Sequence, residues 1–386
     1  MLPLFFKGLA MYTINWGDLT VEAFLRDYWQ QKPLLIRNAF PDLDPVVSSD
    51  ELAGLSLEDE VESRLIQFKP DSSEYQLECG PLKEETFATL PESHWTLLVQ
   101  AVDHYSPEAK ALLNAFNFVP NWRIDDLMIS YATPGGGVGP HYDNYDVFLI
   151  QAEGTRRWEL GDIESSQSPR LPGAPVMILS EFQSRESFDL EPGDMLYLPP
   201  QVAHNGVATS EDCVTYSAGF RAPSDAEILR TVSDHIGESL TSEQRFSDTK
   251  RTVCQSPGEI EQLSVDQIAQ RLSELLSNRE ELETALGGLF SEPKYPDQTE
   301  SVDPDDHANW IVEAQEYGVE LMPNNRLLYI EGQQFKLFCN GEQITIDETD
   351  IALAKRLADQ GHVSAEEFNL EQSHLLKHLF VSGAVQ

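Results

Sequence analysis

Basic residues are scarce in this sequence. Its 386 residues include 26 lysines and arginines against 65 aspartates and glutamates, which gives a formal charge of -39. Such a surface repels the phosphates of nucleic acids and attracts cationic partners. The composition therefore disfavours direct DNA binding and fits a basic protein or peptide partner. An acidic excess that serves only solubility is an equal alternative at this point.

Cysteines and long apolar runs are also few. No two of the four cysteines form a C-x-x-C pair, which excludes a zinc knuckle and a dithiol redox motif. The only apolar run near the start, LPLFF, is followed at once by a lysine. It is too short for a secretion signal or a membrane span. We therefore expect a soluble, cytoplasmic protein with reduced thiols and no membrane association.

Short apolar segments separated by glycine and proline fill the central third of the chain, residues 124–223. They are DLMISYA, YDVFLIQA, TRRWELG, PVMIL, SFDLEPGDMLYLPP and CVTYSAGF. This spacing is typical of an all-β barrel or sandwich. Upstream, apolar residues at helical spacing in 18–29 and the following segment LLI predict a helix and then a strand. Residues 1–223 are therefore assigned to one domain with a mainly β core.

The hydrophobic period changes to 3.6 residues after position 223. DAEILRTVSDHIGESL and VDQIAQRLSELLSNREELETALGGLF predict two amphipathic helices, of which the second is long. We interpret residues 224–290 as a helical dimerisation domain, which makes the protein a homodimer. Packing of these helices on the chain's own barrel is the alternative.

Residues 291–386 begin with a linker that is rich in proline and acid, 292–306. Beyond it, Asn340-Gly341 joins two alternating segments, which is a strong hairpin signal. Helical patterns follow at 347–359 and 371–380. A small α+β unit of this kind is typical of a winged helix, but the scarcity of basic residues on its helices argues against DNA binding.

A glycine-rich stretch, PGGGVGPHYDNYDVFLIQA, begins at residue 134 and lacks the fingerprints of phosphate-binding loops. It leads into a predicted strand, on which His141 and Asp143 share one face. The glycines allow a tight turn and leave open space in front of these side chains. A later segment, FDLEPGDMLYLPPQVAHNG, supplies His204, 63 residues after the first histidine, and barrel strands can bring the three together.

Two histidines and one aspartate form a facial set of metal ligands. Such a set leaves adjacent coordination positions of Fe(II) open, whereas a catalytic zinc site usually completes a tetrahedron with water. The residues therefore favour a non-haem iron oxygenase. A cupin that binds a metal or a sugar without redox chemistry is the alternative.

Together with WQQKPLLIRNAFP near the N-terminus, these segments resemble the bacterial JmjC-type ribosomal oxygenases, a family of cupin-fold 2-oxoglutarate dioxygenases. The resemblance implies a double-stranded β-helix (the cupin or JmjC jelly roll) as catalytic domain, a helical dimerisation module and a C-terminal winged-helix-like α+β domain. It implies Fe(II) on His141, Asp143 and His204, with 2-oxoglutarate and O2 as co-substrates. The expected reaction is hydroxylation at C-3 of an arginine in a basic large-subunit ribosomal protein, with release of succinate and CO2.

The resemblance also places the distal carboxylate of 2-oxoglutarate on Arg156, with Ser130 as a second contact. A guanidinium fork suits a carboxylate, and strand alternation sends Arg157 to the other face. Ala132 stands where a second serine is expected, so no role is assigned to it. Four residues near the expected metal are either substrate contacts or barrel packing: Tyr131, Tyr142, Tyr145 and Asp146.

Two related activities are alternatives to hydroxylation of a protein. A JmjC-like demethylase would release formaldehyde. An RNA hydroxylase would have to bind phosphates with a chain whose formal charge is -39, which disfavours it.

Overall fold

The computed structural model describes residues 12–249, 251–299, 302–303, 307–368 and 373–386. The chain divides into two compact units, Met1–Ala222 and Pro223–Gln386. Within the described residues, no helix is both long enough and apolar enough to cross a membrane.

The first unit is built mainly of antiparallel strands. Its strands are β1 (Leu34–Ile36), β2 (Ser63–Lys69), β3 (Glu74–Cys79), β4 (Trp95–Val99), β5 (Ile124–Ala132), β6 (Val147–Glu153), β7 (Arg156–Ile163), β8 (Glu186–Leu190), β9 (Met195–Leu198), β10 (Val202–Ala208) and β11 (Cys213–Phe220). Its helices are α1 (Val21–Asp27), α2 (Ser49–Leu55), α3 (Glu84–Ala88) and α4 (Pro107–Leu113). The helix and strand expected near the N-terminus are thus present as α1 and β1.

Two sheets form the barrel. The larger has eight strands in the order β1-β9-β6-β11-β5-β4-β2-β3, and the smaller has the order β10-β7-β8. Apolar side chains from β6 and β9 pack against Trp158, Leu160 and Leu190 of the smaller sheet. Face-to-face sheets around a shared apolar layer confirm the predicted double-stranded β-helix.

The outer face of the larger sheet is covered by the helices. Phe24 of α1 lies edge-on to Tyr197 of β9, with ring centroids 4.9 Å apart. Phe116, which follows α4, lies 4.9 Å from Phe148 of β6 by the same measure. Strands β6 and β9 are therefore buried on both faces, which explains their nearly continuous apolar sequence.

Two details of the predicted strand pattern are wrong. The segment PVMIL is not a strand of either sheet; Leu179 forms an isolated bridge with Arg170 and donates its N–H to the carbonyl of Pro140, at 2.8 Å. Its apolar character reflects burial of Ile178 and Leu179 against the glycine-rich loop rather than sheet pairing. In addition, β6 begins at Val147, so His141 and Asp143 precede the strand.

The second unit begins with three helices, α5 (Asp225–Ser239), α6 (Gln262–Leu276) and α7 (Arg279–Ser291). The single long helix predicted over 265–290 is therefore wrong, because it breaks between α6 and α7. Asn278 caps the new helix: its side-chain oxygen accepts from the N–H of Glu280 at 3.2 Å. Asparagine is among the preferred N-cap residues because this bond satisfies a free N–H of the first turn.

The remaining elements of this unit are α8 (His307–Tyr317), β12 (Val319–Glu320), β13 (Leu327–Glu331), β14 (Phe335–Cys339), β15 (Glu342–Ile344), α9 (Ile351–Gln360), β16 (His362–Val363) and α10 (His374–Val381). The predicted turn at Asn340-Gly341 is confirmed between β14 and β15, with φ of 50° and 88° at the two residues. Such left-handed angles at both positions are typical of tight hairpin turns. The helices expected at 347–359 and 371–380 correspond to α9 and α10, and residues 371 and 372 lie outside the described residues.

Helix α7 packs on this hairpin. Gly287 faces the ring of buried Phe338, and a Cβ on this glycine would lie 2.2 Å from the ring. Lys336 of β14 donates from Nζ to the carbonyl of Glu280 at 2.8 Å. The close contact between helix and hairpin thus depends on a missing side chain.

Candidate active site

The glycine-rich loop lies between two backbones. A Cβ on Gly136 would be 2.1 Å from the carbonyl oxygen of Trp95 in β4, and one on Gly137 would be 2.3 Å from that of Gly206 in β10. Only glycine can occupy positions where main chains approach so closely. The loop therefore serves close backbone packing, not phosphate binding.

This packing sets His141 opposite His204. The loop runs antiparallel to β10, with the N–H of His141 donating to the carbonyl of His204 at 3.0 Å and the reverse bond at 2.8 Å. The two residues form an isolated bridge, and their ring centroids are 4.3 Å apart. The hydrogen bonding that joins the loop to the smaller sheet thus pairs the two histidines.

Asp143 completes a three-residue cluster. The Oδ2 atom of Asp143 lies 3.6 Å from Nε2 of His204 and 4.0 Å from Nε2 of His141. One nitrogen or oxygen from each residue lies within 4.8 Å of the others. Such spacing allows all three atoms to contact one metal ion from the same side.

The other nitrogen of each imidazole is held by backbone. Nδ1 of His141 lies 2.8 Å from the carbonyl of Gly139, and Nδ1 of His204 lies 2.9 Å from that of Val202. A carbonyl only accepts, so each Nδ1 carries the proton and each Nε2 presents a lone pair to the cluster. Fixed tautomers of this kind orient metal-binding histidines.

Burial affects the protonation of His204. Burial, and then the neighbouring His141, lower the pKa of His204 to about 4. At neutral pH its imidazole is therefore uncharged, which is the form that binds a metal.

Arg156 and Arg157 face opposite sides of β7. Arg156 is 4% exposed, and its Nε lies 3.5 Å from Sγ of buried Cys213. Its Nη2 is buried and has no hydrogen-bond partner among the described residues. Arg157 is exposed and forms an ion pair with Asp189, with 2.8 Å between Nε and Oδ1. The predicted assignment of the two faces is confirmed.

A buried guanidinium nitrogen without an acceptor is costly, so it indicates a ligand. Leaving a charged donor unsatisfied costs more than the usual penalty of about 1–3 kcal/mol for a neutral one. A carboxylate that enters the barrel would remove this penalty with charge-assisted hydrogen bonds. The inner face of β7 is therefore chemically suited to an anionic co-substrate.

Ser130 lies on β5, opposite Thr215 of β11, and is buried. Its Oγ lies 3.4 Å from the carbonyl of Thr215, which is a long hydrogen bond. The hydroxyl can exchange so weak a bond for a stronger partner at small cost. Ala132, further along the strand, is fully buried and packs with Cys213.

Two of the four residues expected near the metal take part in packing instead. Asp146 is fully buried and binds three neighbours at 2.6–3.0 Å, namely Tyr197, Gln30 and Arg123. The side chain of Tyr131 packs on Trp95 and donates its hydroxyl to Asp212 at 2.7 Å. For these residues the packing alternative is correct.

Tyr145 is close to the cluster. Burial, followed by the charges of Asp143 and Asp126, raises the pKa of its hydroxyl, which hydrogen-bonds to Asp143. Although 42% of the residue is exposed, the hydroxyl end is therefore directed into the site. Tyr142 is half-buried.

Asp126 is a functional candidate that no sequence motif marks. It is 2% exposed, and its Oδ2 accepts from Nε2 of Gln100 at 2.7 Å and from the N–H of Ala101 at 2.8 Å. A Cβ on Gly219 would lie 3.5 Å from its Oδ1. The signal was available in the alternation of β5, because residues 126, 128 and 130 share a face.

Comparison with known proteins gives three family matches, one of which is to the AraC-like ligand binding domain over residues 179–290. A model of the JmjC domain matches residues 111–228. A model of the ROXA-like winged helix matches residues 274–381. The winged-helix prediction is confirmed, and the winged-helix match includes α7.

Full-length relatives extend these matches. The chain is 34% identical over 358 residues to the "Ribosomal protein uL16 3-hydroxylase" of Escherichia coli, covering 92% of both proteins. It is also 34% identical to a "Probable ribosomal oxygenase" of Haemophilus influenzae, covering 88% of this chain and 86% of that one.

Solved structures are also similar to this chain over nearly its whole length. A crystal structure of E. coli YcfD superposes with a TM-score of 0.86 at 32% identity. The match covers 98% of this chain and 100% of the YcfD chain. Another YcfD structure, in complex with cobalt and 2-oxoglutarate, has a TM-score of 0.84 at 32% identity and covers 97% of this chain and 99% of that one. Since the identity and coverage extend over nearly the whole length of both proteins, the chain belongs to the JmjC-type ribosomal oxygenases.

Proposed function

We propose that this protein is an Fe(II)- and 2-oxoglutarate-dependent oxygenase that hydroxylates C-3 of an arginine in a large-subunit ribosomal protein and releases succinate and CO2. The observations that carry the proposal are the cluster of His141, Asp143 and His204 and, within the same barrel, the buried, unpaired Nη2 of Arg156. The name of the E. coli relative, a uL16 3-hydroxylase, supports the reaction and the substrate class.

The three-residue cluster fits Fe(II). Two imidazoles and a carboxylate on one side of an ion leave the opposite side open, as in non-haem iron oxygenases. Fe(II) bound there supplies the redox chemistry by which O2 oxidises both 2-oxoglutarate and a C–H bond of the substrate. The YcfD structure that contains both cobalt and 2-oxoglutarate supports the proposal that this site binds a metal ion together with 2-oxoglutarate.

The chain's own residues then hold and orient the reactants. Arg156 binds the distal carboxylate of 2-oxoglutarate through its free Nη2, and the Oγ of Ser130 gives the same carboxylate a second donor. Because Cys213 holds the Nε of this arginine, the guanidinium keeps one orientation. The protein thereby fixes the distance between the co-substrate and the metal.

Asp126 is proposed to bind the guanidinium of the substrate. It is a buried carboxylate beside Tyr145, whose hydroxyl reaches Asp143. Gln100 and Ala101 hold one carboxylate oxygen at a fixed position. An arginine that enters from solvent would gain a charge-assisted bond there, and the formal charge of -39 would attract its basic protein.

Dimerisation and location are further parts of the proposal. We propose that residues 224–290 mediate a homodimer, because α6 has no buried residue and exposes an apolar stripe. We also propose residues 1–223 as the catalytic domain and 291–386 as the linker and winged-helix domain. A cytoplasmic location is proposed because ribosomal proteins are made and assembled there.

The reaction can be tested with purified protein, Fe(II), 2-oxoglutarate and recombinant uL16. We expect one added oxygen on one arginine, measured by mass spectrometry, and one succinate for each hydroxylation. His141→Ala should abolish both products, while His378→Ala, at an exposed histidine of the second unit, should have no effect. Formaldehyde release would assign a demethylase instead, and full turnover by His141→Ala would disprove the metal site.

A further inference from the structure

Trp158 is a second buried donor on the inner face of β7. It lies two residues after Arg156, so the two side chains share a face. The residue is 6% exposed, and its indole Nε1 is buried with no hydrogen-bond partner among the described residues. A buried indole N–H normally finds an acceptor. The inner face of β7 therefore carries two unsatisfied donors, Nη2 of the arginine and Nε1 of the tryptophan.

The indole lies between the metal cluster and the co-substrate arginine. Its ring centroid is 5.8 Å from that of His204, and the guanidinium carbon of Arg156 is 5.7 Å from the ring. A ligand that spans from the cluster to the arginine must therefore pass along the indole. A dicarboxylate with one end at the metal cluster and the other end on Arg156 is such a ligand.

The position of the indole is fixed by Gly206. A Cβ at that residue would lie 2.5 Å from the Cη2 and Cζ3 atoms of Trp158. The ring thus packs directly on the backbone of β10, two residues along the strand from His204. This contact restrains the direction of the N–H, which reduces the entropy lost when a ligand binds.

We propose that the indole N–H of Trp158 donates a hydrogen bond to the distal carboxylate of 2-oxoglutarate, beside the guanidinium of Arg156. The assignment rests on the proposed function, since it takes 2-oxoglutarate as the ligand. It makes Trp158 a co-substrate-binding residue and not only part of the barrel core. One carboxylate then satisfies both buried donors.

Binding measurements on the full chain can test this without turnover. In Zn(II)-loaded protein without iron, Trp158→Phe removes the N–H and keeps a ring. We expect it to weaken 2-oxoglutarate binding by roughly ten- to a hundredfold, the range for a hydrogen bond to a charged group, as measured by calorimetry. Trp95→Phe is the matched control, because the N–H of Trp95 donates elsewhere, to the carbonyl of Pro91 at 2.8 Å.

A second ligand separates the hydrogen bond from ring packing. The acid 2-oxopentanoate has the same chain length and lacks the distal carboxylate. If the proposal holds, Trp158→Phe binds this acid as well as the unaltered protein does. An equal loss for both acids would assign the tryptophan to packing and overturn the proposal.

The unaltered protein offers a test that needs no variant. Among the six indole N–H signals of protein labelled with ¹⁵N-tryptophan, the one that Co(II) broadens most identifies the ring nearest the metal cluster. In the Zn(II) form, that signal should move on addition of 2-oxoglutarate and stay in place with 2-oxopentanoate. A signal that ignores 2-oxoglutarate refutes the hydrogen bond. Failure of the unaltered protein to bind 2-oxoglutarate at all would instead refute the proposed function.

Discussion

Arg156 and Arg157 are neighbours in the sequence and occupy opposite environments. The first is buried with a free Nη2, and the second is exposed in an ion pair with Asp189. An exposed ion pair of this kind contributes at most about 1 kcal/mol. A buried guanidinium that binds a carboxylate contributes more, because water does not compete for its donors. Identical side chains thus have different roles because of strand alternation.

This difference predicts the effect of removing each arginine. Arg156→Ala should raise the 2-oxoglutarate concentration required for half-maximal succinate formation by roughly ten- to a hundredfold, since a charge-assisted bond contributes about 1.5–3 kcal/mol. Metal binding should be unchanged, because the three ligand residues remain. The measurement is succinate formation over a range of 2-oxoglutarate concentrations.

Arg157→Ala is the matched control and should leave the 2-oxoglutarate requirement unchanged. A large increase for this variant, with none for Arg156→Ala, would reverse the assignment of the two side chains. A small increase in both would place the carboxylate elsewhere in the barrel.

At the scale of elements, close approach of neighbouring groups explains several glycine positions without invoking a ligand. Gly136 and Gly137 let the loop pass between β4 and β10, and Gly206 receives the ring of Trp158. In the second unit, Gly287 lets α7 approach β14 in the same way. At each of these positions a neighbouring group occupies the space that a side chain would need.

Two glycines in helices allow this explanation to be tested. Gly287→Ala should destabilise the second unit, because its methyl group would meet the buried ring of Phe338 at 2.2 Å. The overpacking costs about 1–3 kcal/mol and should exceed the gain in helix propensity of about 1 kcal/mol. Chemical denaturation followed by circular dichroism measures the change.

Gly237 of α5 is the control. A Cβ there would have nothing within 4 Å, so Gly237→Ala should stabilise the protein by up to about 1 kcal/mol through helix propensity alone. If both variants gain stability, the contact of Gly287 with Phe338 is looser than the structure indicates.

The elements also show which features of the fold can be predicted from sequence patterns. Strands β5, β7 and β11 were predicted because alternation and turn residues are local properties. The irregular backbone at His141 and Asp143 was not, because the bridge to His204 depends on a partner 63 residues away. Nor was the break at Asn278, since the apolar period continues through it. Asp126 was missed because no motif marks it and only the folded barrel brings it to Tyr145.

At the scale of the whole molecule, charge and apolar surface have opposite effects on the association of two copies. Each chain carries a formal charge of -39, so two copies repel one another. Helix α6 nevertheless exposes an apolar stripe whose members are 39–54% exposed: Val265, Ile268, Leu272 and Leu276. Burial of such side chains contributes about 1.5–3 kcal/mol each when it is complete, which can outweigh repulsion that salt screens.

We therefore expect a homodimer whose association depends on this stripe and strengthens with salt. Light scattering of the full chain at micromolar concentration should give twice the mass of one chain. Ile268→Glu combined with Leu272→Glu should give the mass of one chain with unchanged helical content, since both side chains are already exposed. Gln270→Glu, which adds charge to the opposite face of α6, should remain dimeric. A single-chain mass for the unaltered protein would exclude the dimer, and a dimeric double variant would move the interface to another surface.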